Sequence, residues 1–279
     1  MVQTTRAGAV TGPIISDPRL RKLSFTGSTQ VGRRLIADSA ERVLRVSMEL
    51  GGNAPFLVFE DADLDAAVEG ALLAKLRNMG EACTAANRIL VHETVADEFA
   101  QKLAARMSQL KVARGSEAGA NIGPLIDERS RDAVHSLVTQ ATAKGAQILT
   151  GGEIPTGPGY FYPPTVIANV PEYCEIMQQE IFGPVAPICK FKDEDDAVRL
   201  ANDTEYGLVA YAFTRDLNRG LRLTERLEVG MFGLNTGIVS NPAAPFGGVK
   251  ASGLGREGGA EGIEEYLETV YVGIADPYA

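Results

Sequence analysis

Short apolar runs alternate with amphipathic stretches along most of the chain. Phe56–Phe59, Ile89–Val91, Thr165–Val170, Ala186–Phe191 and Leu208–Thr214 are apolar runs flanked by polar and turn-forming residues, and each reads as a buried strand. Between them the period lengthens to that of a helix. Asp61–Met79 sets Leu64, Val68, Ala71, Leu72 and Leu76 on one face. A second helix carries Phe99, Leu103 and Met107 behind Thr94 and Asp97, an acidic variant of the capping box. Asp127–Lys144 repeats the period through Val134, Leu137 and Val138, with Gly145 as its stop. Shorter helices are expected over 193–202 and 216–227. Such alternation predicts an α/β fold with a mostly parallel sheet covered by helices.

The ends of the chain carry further signals. Residues 1–20 show no clear element. Leu20–Phe25 reads as a strand, followed by the turn Thr26-Gly27-Ser28-Thr29 and a helix over 29–40. Arg45–Glu49 forms a second strand that runs into Gly51-Gly52, where the backbone can turn tightly. Strand, glycine turn, hydroxyl and helix start suit a phosphate, because first-turn N–H groups and the helix dipole favour an anion. The plainer account of Ser28 is an N-cap. Residues 151–164 and Asn235–Gly258 are glycine- and proline-bearing loops. Gly253–Gly258 spells G-x-G-x-x-G, yet no strand leads into it and too little chain follows for a βαβ unit, so it is rejected as a dinucleotide fingerprint. Tyr266–Ile274 alternates apolar and polar residues, as an exposed strand seeking a partner sheet would.

Composition narrows the function. At 279 residues and 45% hydrophobic the chain can build one large or two medium domains. A net charge of -9 argues against a nucleic-acid surface, and no apolar stretch approaches the ~18 residues of a membrane helix. Met1–Thr5 lacks the regions of a signal peptide, and Cys83, Cys174 and Cys189 are scattered, which together predict a cytoplasmic protein without disulfides. His92 and His135 are too isolated for a zinc site, so no metal is expected. A catalytic base is then a carboxylate. Glu49 beside the glycine pair and Cys83 among small residues form the candidate reaction centre, if the strand and helix between them fold back. Glu180-Ile181-Phe182-Gly183-Pro184 could clasp a ribose hydroxyl and wall a ring, or be a charged turn before a strand.

Five stretches, taken in order, resemble the aldehyde dehydrogenase superfamily: FTGSTQVG, ELGGNAP, GEAC before TAANR, EIFGP and APFGGVKASGLGREG. Through NTGIVSN, the last of these runs and the closing EEYLE the chain is most similar to succinate-semialdehyde dehydrogenases. The resemblance runs over essentially the whole chain and covers the C-terminal part of that fold. It implies a parallel-rich catalytic domain over 52–252, the remnant of a Rossmann-type dinucleotide-binding domain over 1–51, a segment over 253–265 that returns to that domain, and an oligomerisation strand over 266–279.

The resemblance also implies roles. Cys83 would attack the aldehyde, Glu49 would activate the hydrolytic water, and Glu257 would serve proton relay beside it. NAD or NADP would lie with its pyrophosphate by Thr26 and Ser28, Gly27 and Gly32 allowing close approach. Glu180 would bind the nicotinamide ribose and Phe182 would flank the ring. Arg77 and Ser240 would hold the substrate carboxylate, a task suited to a guanidinium, and Phe246 would line the channel. By charge alone Arg77 is equally a surface arginine at a helix C-terminus. The small-molecule aldehyde favoured is succinate semialdehyde, and the assembly expected is a homo-oligomer, dimer or tetramer.

Two positions depart from the family pattern. Glu81 replaces the usual glutamine and is expected to raise the Cys83 thiol pKa. Ala85 leaves no second cysteine for a disulfide with the nucleophile. The family's first half supplies the adenosine pocket and an asparagine that helps hold the oxyanion, a donor whose loss typically costs about 10²–10³ in rate. The rival readings are therefore a catalytically poor oligomerising fragment and a cofactor-free cysteine esterase.

Overall fold

A computed structural model describes residues 1–276. In chain order its elements are α1 (Ala7–Ile15), β1 (Lys22–Thr26), α2 (Thr29–Ala40), β2 (Arg45–Glu49), β3 (Ala54–Val58), α3 (Leu64–Leu76), a 3-10 segment (Arg77–Gly80), β4 (Ala86–His92), α4 (Ala96–Ser108) and α5 (Glu128–Ala143). Then follow β5 (Gln147–Thr150), β6 (Thr165–Ala168), α6 (Glu175–Gln178), β7 (Val185–Phe191), α7 (Glu194–Asn202), β8 (Tyr206–Gly207), β9 (Val209–Phe213), α8 (Leu217–Arg226), β10 (Met231–Leu234), β11 (Val249–Lys250), β12 (Gly253–Leu254) and α9 (Glu261–Glu264).

The larger sheet has the order β10-β9-β3-β4-β7-β6-β5, parallel throughout except where β5 meets β6. Its central strands are apolar on both faces because both faces are covered. Phe56 and Val58 join Ile89, Tyr211 and the inner sides of α3 and α4. Leu57 and Phe59 point the other way, into a core completed by α5, α7 and α8. The α/β architecture with a parallel-rich sheet is thus the one the alternation predicts. None of the helices among the described residues is long and apolar enough to cross a membrane.

A second sheet orders β1-β2-β12. Here β1 and β2 run parallel, with Thr26 opposite Glu49, and β12 returns antiparallel with Gly253 opposite Glu49. β2 leaves this sheet through Leu50–Asn53 and enters the larger one as β3, so the two sheets meet at Gly51-Gly52.

Several local expectations need correction. The helix expected to reach Met79 ends at Leu76, because Asn78 and Met79 adopt left-handed φ of 51° and 56°. Thr94 caps nothing: α4 begins after Val95 without a side-chain cap, and the Thr94 hydroxyl pairs with His92 Nδ1. α1, β5, α6, β8, β10 and α9 were not foreseen, and β11 and β12 fall in the stretch Asn235–Gly258 that was expected to be loop. Tyr266–Ile274 takes no ladder partner within the described chain, and residues 277–279 of the expected oligomerisation strand lie outside the described residues.

Candidate active site

The loop that carries Cys83 is made by the abrupt end of α3. Gly80 has φ of 80°, and a Cβ there would stand 2.3 Å from the Gly183 carbonyl oxygen, so only glycine fits where the two loops touch. Asn78 donates from Nδ2 to the Glu81 carbonyl at 2.9 Å, and Ala85 N–H closes a turn onto Ala82. Cys83 sits in this turn, half-buried, before β4 begins.

Gly52 brings the other half of the centre to it. A Cβ on Gly52 would lie 2.2 Å from the Cys83 carbonyl oxygen, an approach no side chain permits. Three residues earlier Glu49 ends β2, buried, with Oε2 lacking a hydrogen-bond partner among the described residues. Burial, reinforced by the nearby Glu257 carboxylate and opposed by Arg256, pushes the Glu49 pKa up to about 7. A carboxylate so placed can take up and release a proton near neutrality.

Glu180 closes the third side. Its Oε1 accepts from Gly52 N–H at 3.0 Å, and burial raises its pKa against the pull of that bond and of Lys75. The Cys83 thiol is held above its ordinary pKa by burial first, then by Glu180 and Glu49, while backbone N–H groups at Cys83 and Thr84 act the other way. The resting thiol is therefore protonated and needs a base. Glu81 takes no part, contrary to expectation: its Oε1 accepts from Ile126 N–H at 3.1 Å, and the carboxylates acting on the sulfur are Glu180 and Glu49.

The remaining candidates fall into two groups. Arg77 donates to Ser240 Oγ at 3.4 Å, so the two exposed residues share one place, and the Arg77 charge reaches Tyr211, whose hydroxyl donates to the Thr84 carbonyl at 3.0 Å. Phe246 and Glu257 exchange backbone hydrogen bonds of 2.6 and 2.7 Å in the glycine-rich run, and the Glu257 charge acts on Glu49. On the Glu49 side, Thr26 is its ladder neighbour and Gly27 N–H donates to the Glu49 carbonyl at 3.0 Å. Ser28 is an exposed N-cap of α2, accepting from Val31 N–H at 3.4 Å. The missing side chain at Gly32 makes room for Leu50, whose methyl would stand 2.3 Å from a Cβ. Phe182 is exposed, at a left-handed φ of 53°. Among the described residues no group of three or more His, Cys, Asp or Glu could hold a metal ion.

The profile of the aldehyde dehydrogenase family matches residues 1–272. The chain belongs to the aldehyde dehydrogenase family. It is 61% identical over 278 residues to a succinate-semialdehyde dehydrogenase of Paenarthrobacter nicotinovorans, covering 100% of this chain and 62% of that protein. It is 51% identical to a glutarate-semialdehyde dehydrogenase of Pseudomonas aeruginosa, covering 97% of this chain and 56% of the relative. The crystal structure of succinate-semialdehyde dehydrogenase from Burkholderia pseudomallei superposes with a TM-score of 0.92 at 53% identity, over 95% of this chain and 55% of that one. This aldehyde dehydrogenase chain thus spans 62% or less of the length of these relatives.

Sequence reasoning missed residues that hold the centre together. Thr29 Oγ1 accepts from Gly51 N–H at 3.1 Å and donates to the Ala251 carbonyl at 3.2 Å. Ser252 Oγ donates to the Gly51 carbonyl at 2.7 Å and accepts from Gly207 N–H at 3.0 Å. Lys75 and Asn87 lie wholly buried behind Gly52. The motif ELGGNAP marks the turn they surround, but hydroxyls distant in sequence carry no local signal.

Proposed function

We propose that this chain carries the catalytic centre for NAD(P)+-dependent oxidation of an aldehyde that bears a second, anionic group, with succinate semialdehyde the favoured substrate. One observation carries the reading: a half-buried thiol and a buried carboxylate with its pKa near 7 meet across Gly52, whose backbone touches that of the nucleophile.

The aldehyde lies with its carboxylate against Arg77 and Ser240 and with Phe246 along the channel. Glu49 takes the Cys83 proton, and the sulfur adds to the carbonyl carbon to form a thiohemiacetal, with the Cys83 N–H as a donor to the developing oxyanion. The dinucleotide, when bound, supplies the two-electron oxidation that leaves a thioester. Glu49 releases the thiol's proton to solvent and then draws one from the attacking water; the acid departs, and Cys83 recovers a proton from Glu49. Glu257 and Arg256, whose charges act on Glu49, set how readily it passes that proton to solvent.

The residues present suit a dinucleotide. α2 is a 12-residue helix whose exposed N-terminus, with Thr26, Gly27 and Ser28 before it and Gly32 in its first turn, offers donors to a pyrophosphate. Glu180, whose Oε2 lies with Thr29 Oγ1 around Gly51 and whose charge acts on Cys83, suits a ribose hydroxyl, and the exposed Phe182 suits a nicotinamide face. We read residues 1–51 and 253–265, joined in the smaller sheet, as part of the dinucleotide-binding domain and 52–252 as the catalytic domain. Residues 266–279 are assigned to oligomerisation as a dimer or tetramer, since Val270, Tyr271, Val272 and Ile274 are all exposed. A cytoplasmic location follows from the same reading.

The test follows NAD(P)H formation with succinate semialdehyde, beside hydrolysis of an activated ester, for the wild type and Cys83→Ala. NAD(P)H that appears only with the thiol supports the proposal. Ester turnover without NAD(P)H, lost in Cys83→Ala, replaces it with a cofactor-free esterase. Silence in both assays identifies a catalytically poor chain.

A further inference from the structure

Lys75 has no task in this chemistry, yet it is 1% exposed in the last turn of α3. Its ammonium donates to Asn87 Oδ1 at 2.8 Å. Asn87, also 1% exposed, donates from Nδ2 to the Gly52 carbonyl at 3.3 Å. The N–H of the same Gly52 donates to Glu180 Oε1 at 3.0 Å. One buried polar chain therefore holds Gly52 by both of its backbone groups, at the point where Gly52 abuts the Cys83 carbonyl.

A buried ammonium is strongly disfavoured unless a partner offsets its lost hydration. The carboxylate acting on Lys75 is Glu180, and among charged groups Glu180 is also the first cause of the raised Cys83 pKa. We propose that Lys75 is a positioning residue of the nucleophile: from behind the Gly51-Gly52 turn it partly balances the charge of Glu180, so that Glu180 stands beside Cys83 with less suppression of the thiolate. This deepens the dehydrogenase reading and rests on Cys83 as its nucleophile, but its readout requires no dinucleotide.

The groups facing the cluster are Glu49 and Tyr211 beside the thiol, Tyr206 beside Glu180, Lys75 behind, and Glu257 and Arg256 around Glu49. Burial lowers the Lys75 pKa to about 7, with Glu180 pulling against it. The balancing charge is therefore present below about pH 7 and lost above it, a signature that loss of packing does not produce.

The experiment measures the rate of Cys83 alkylation by iodoacetamide against pH, read on the Cys83 peptide by mass spectrometry, since Cys174 and Cys189 are buried. Lys75→Met and Lys75→Gln remove the charge, and Gln keeps a donor for Asn87. Each variant should react roughly tenfold more slowly than the wild type at about pH 6, equivalent to one unit of thiol pKa, and equally fast well above pH 7. Adding Glu180→Gln should abolish the difference. Equal rates at every pH, a deficit independent of pH, or one that survives Glu180→Gln would overturn the proposal. If neither Lys75 variant folds, the comparison is made in the Glu49→Gln background, where Glu49 no longer titrates beside the thiol: that profile must inflect near pH 7 and adding Glu180→Gln must remove the inflection, and an unchanged profile refutes the idea.

Discussion

Gly52→Ala isolates the contact on which the centre depends. The added Cβ would stand 2.2 Å from the Cys83 carbonyl oxygen and 3.4 Å from its carbonyl carbon, with Leu208 Cβ also at 3.4 Å closing the sideways escape. Ordinary carbon–oxygen contact is about 3.3 Å, so the two loops must part by about 1 Å. The backbone at Gly52 is not left-handed, so alanine carries no conformational penalty there and the collision acts alone. Separation also stretches the bonds from Asn87 and to Glu180, which pin Gly52 from both sides. Overpacking of this kind costs about 1–3 kcal/mol, and a misplacement of about 1 Å between reacting groups costs about 10²-fold in rate.

The assay compares Gly52→Ala with Gly115→Ala, where a Cβ meets nothing within 4 Å. Urea unfolding reads stability, and NAD(P)H formation with succinate semialdehyde reads kcat/KM. Gly52→Ala should unfold at lower urea and lose about two orders of magnitude in kcat/KM relative to its control. If the two variants match in both readouts, Gly52 does not set the distance between Glu49 and Cys83, and the argument from close approach fails.

Glu49→Gln removes the base, and turnover should fall by about 10²–10⁴-fold, with the wild-type rise through pH 7 lost from the rate profile. The same change alters stability with a definite sign. The Glu49 pKa rises from 4.5 to about 7 on folding, so its favourable contribution is full below pH 4.5 and is lost as pH rises through about 7. Urea midpoints at pH 8 should therefore favour Glu49→Gln over the wild type, by roughly 3 kcal/mol at most, and an advantage confined to low pH would contradict the assignment. Arg77→Ala should lower kcat/KM for succinate semialdehyde by about 10–100-fold and leave butanal, which lacks the carboxylate, nearly unchanged; equal losses on both substrates would remove Arg77 from substrate recognition. Val270→Lys combined with Val272→Lys should shift the chain from oligomer to monomer in sedimentation, because both side chains are largely exposed within one chain, and an unchanged distribution would place the interface elsewhere.

The inner strands β3, β4, β6, β7 and β9 of the larger sheet were legible because they are buried on both faces and therefore written as apolar runs, as at Phe56–Phe59, whereas the edge strands β5 and β10 are partly exposed and were not foreseen. Nor was the stop of α3. Asn78 and Met79 already take left-handed conformations ahead of Gly80, in a segment that abuts the Gly183 loop, a contact remote in sequence. Thr94 and Asp97 had the right spelling for a cap, but Thr94 spends its hydroxyl on His92. In the site, residue types identified a thiol and an acid, and the family's motifs gave their order. Lys75, Thr29, Asn87 and Ser252 stayed hidden, because a buried polar residue is recognised by its partners and its spelling says nothing of them.

The glycine-rich run near the end illustrates how a motif can be right about place and wrong about task. Gly253–Gly258 has the spelling of a phosphate loop, but in the fold its backbone is committed to other backbone. Leu50 N–H donates to the Ser252 carbonyl at 3.0 Å, and a Cβ on Gly253 would collide with the Met48 carbonyl oxygen at 1.8 Å. Gly247 packs so that a Cβ would reach Glu49 Oε1 at 3.0 Å, and the Phe246–Glu257 bridge closes the loop above it. These glycines serve an approach of chain to chain. Gly247 lies against the Glu49 carboxylate and Gly253 against the backbone at the end of β2, and burial is the first cause of the raised Glu49 pKa. A side chain at Gly247 or Gly253 would displace the end of β2, and Glu49 would revert toward an ordinary, weakly basic carboxylate. The last stretch of glycines thus helps to set the proton affinity of Glu49.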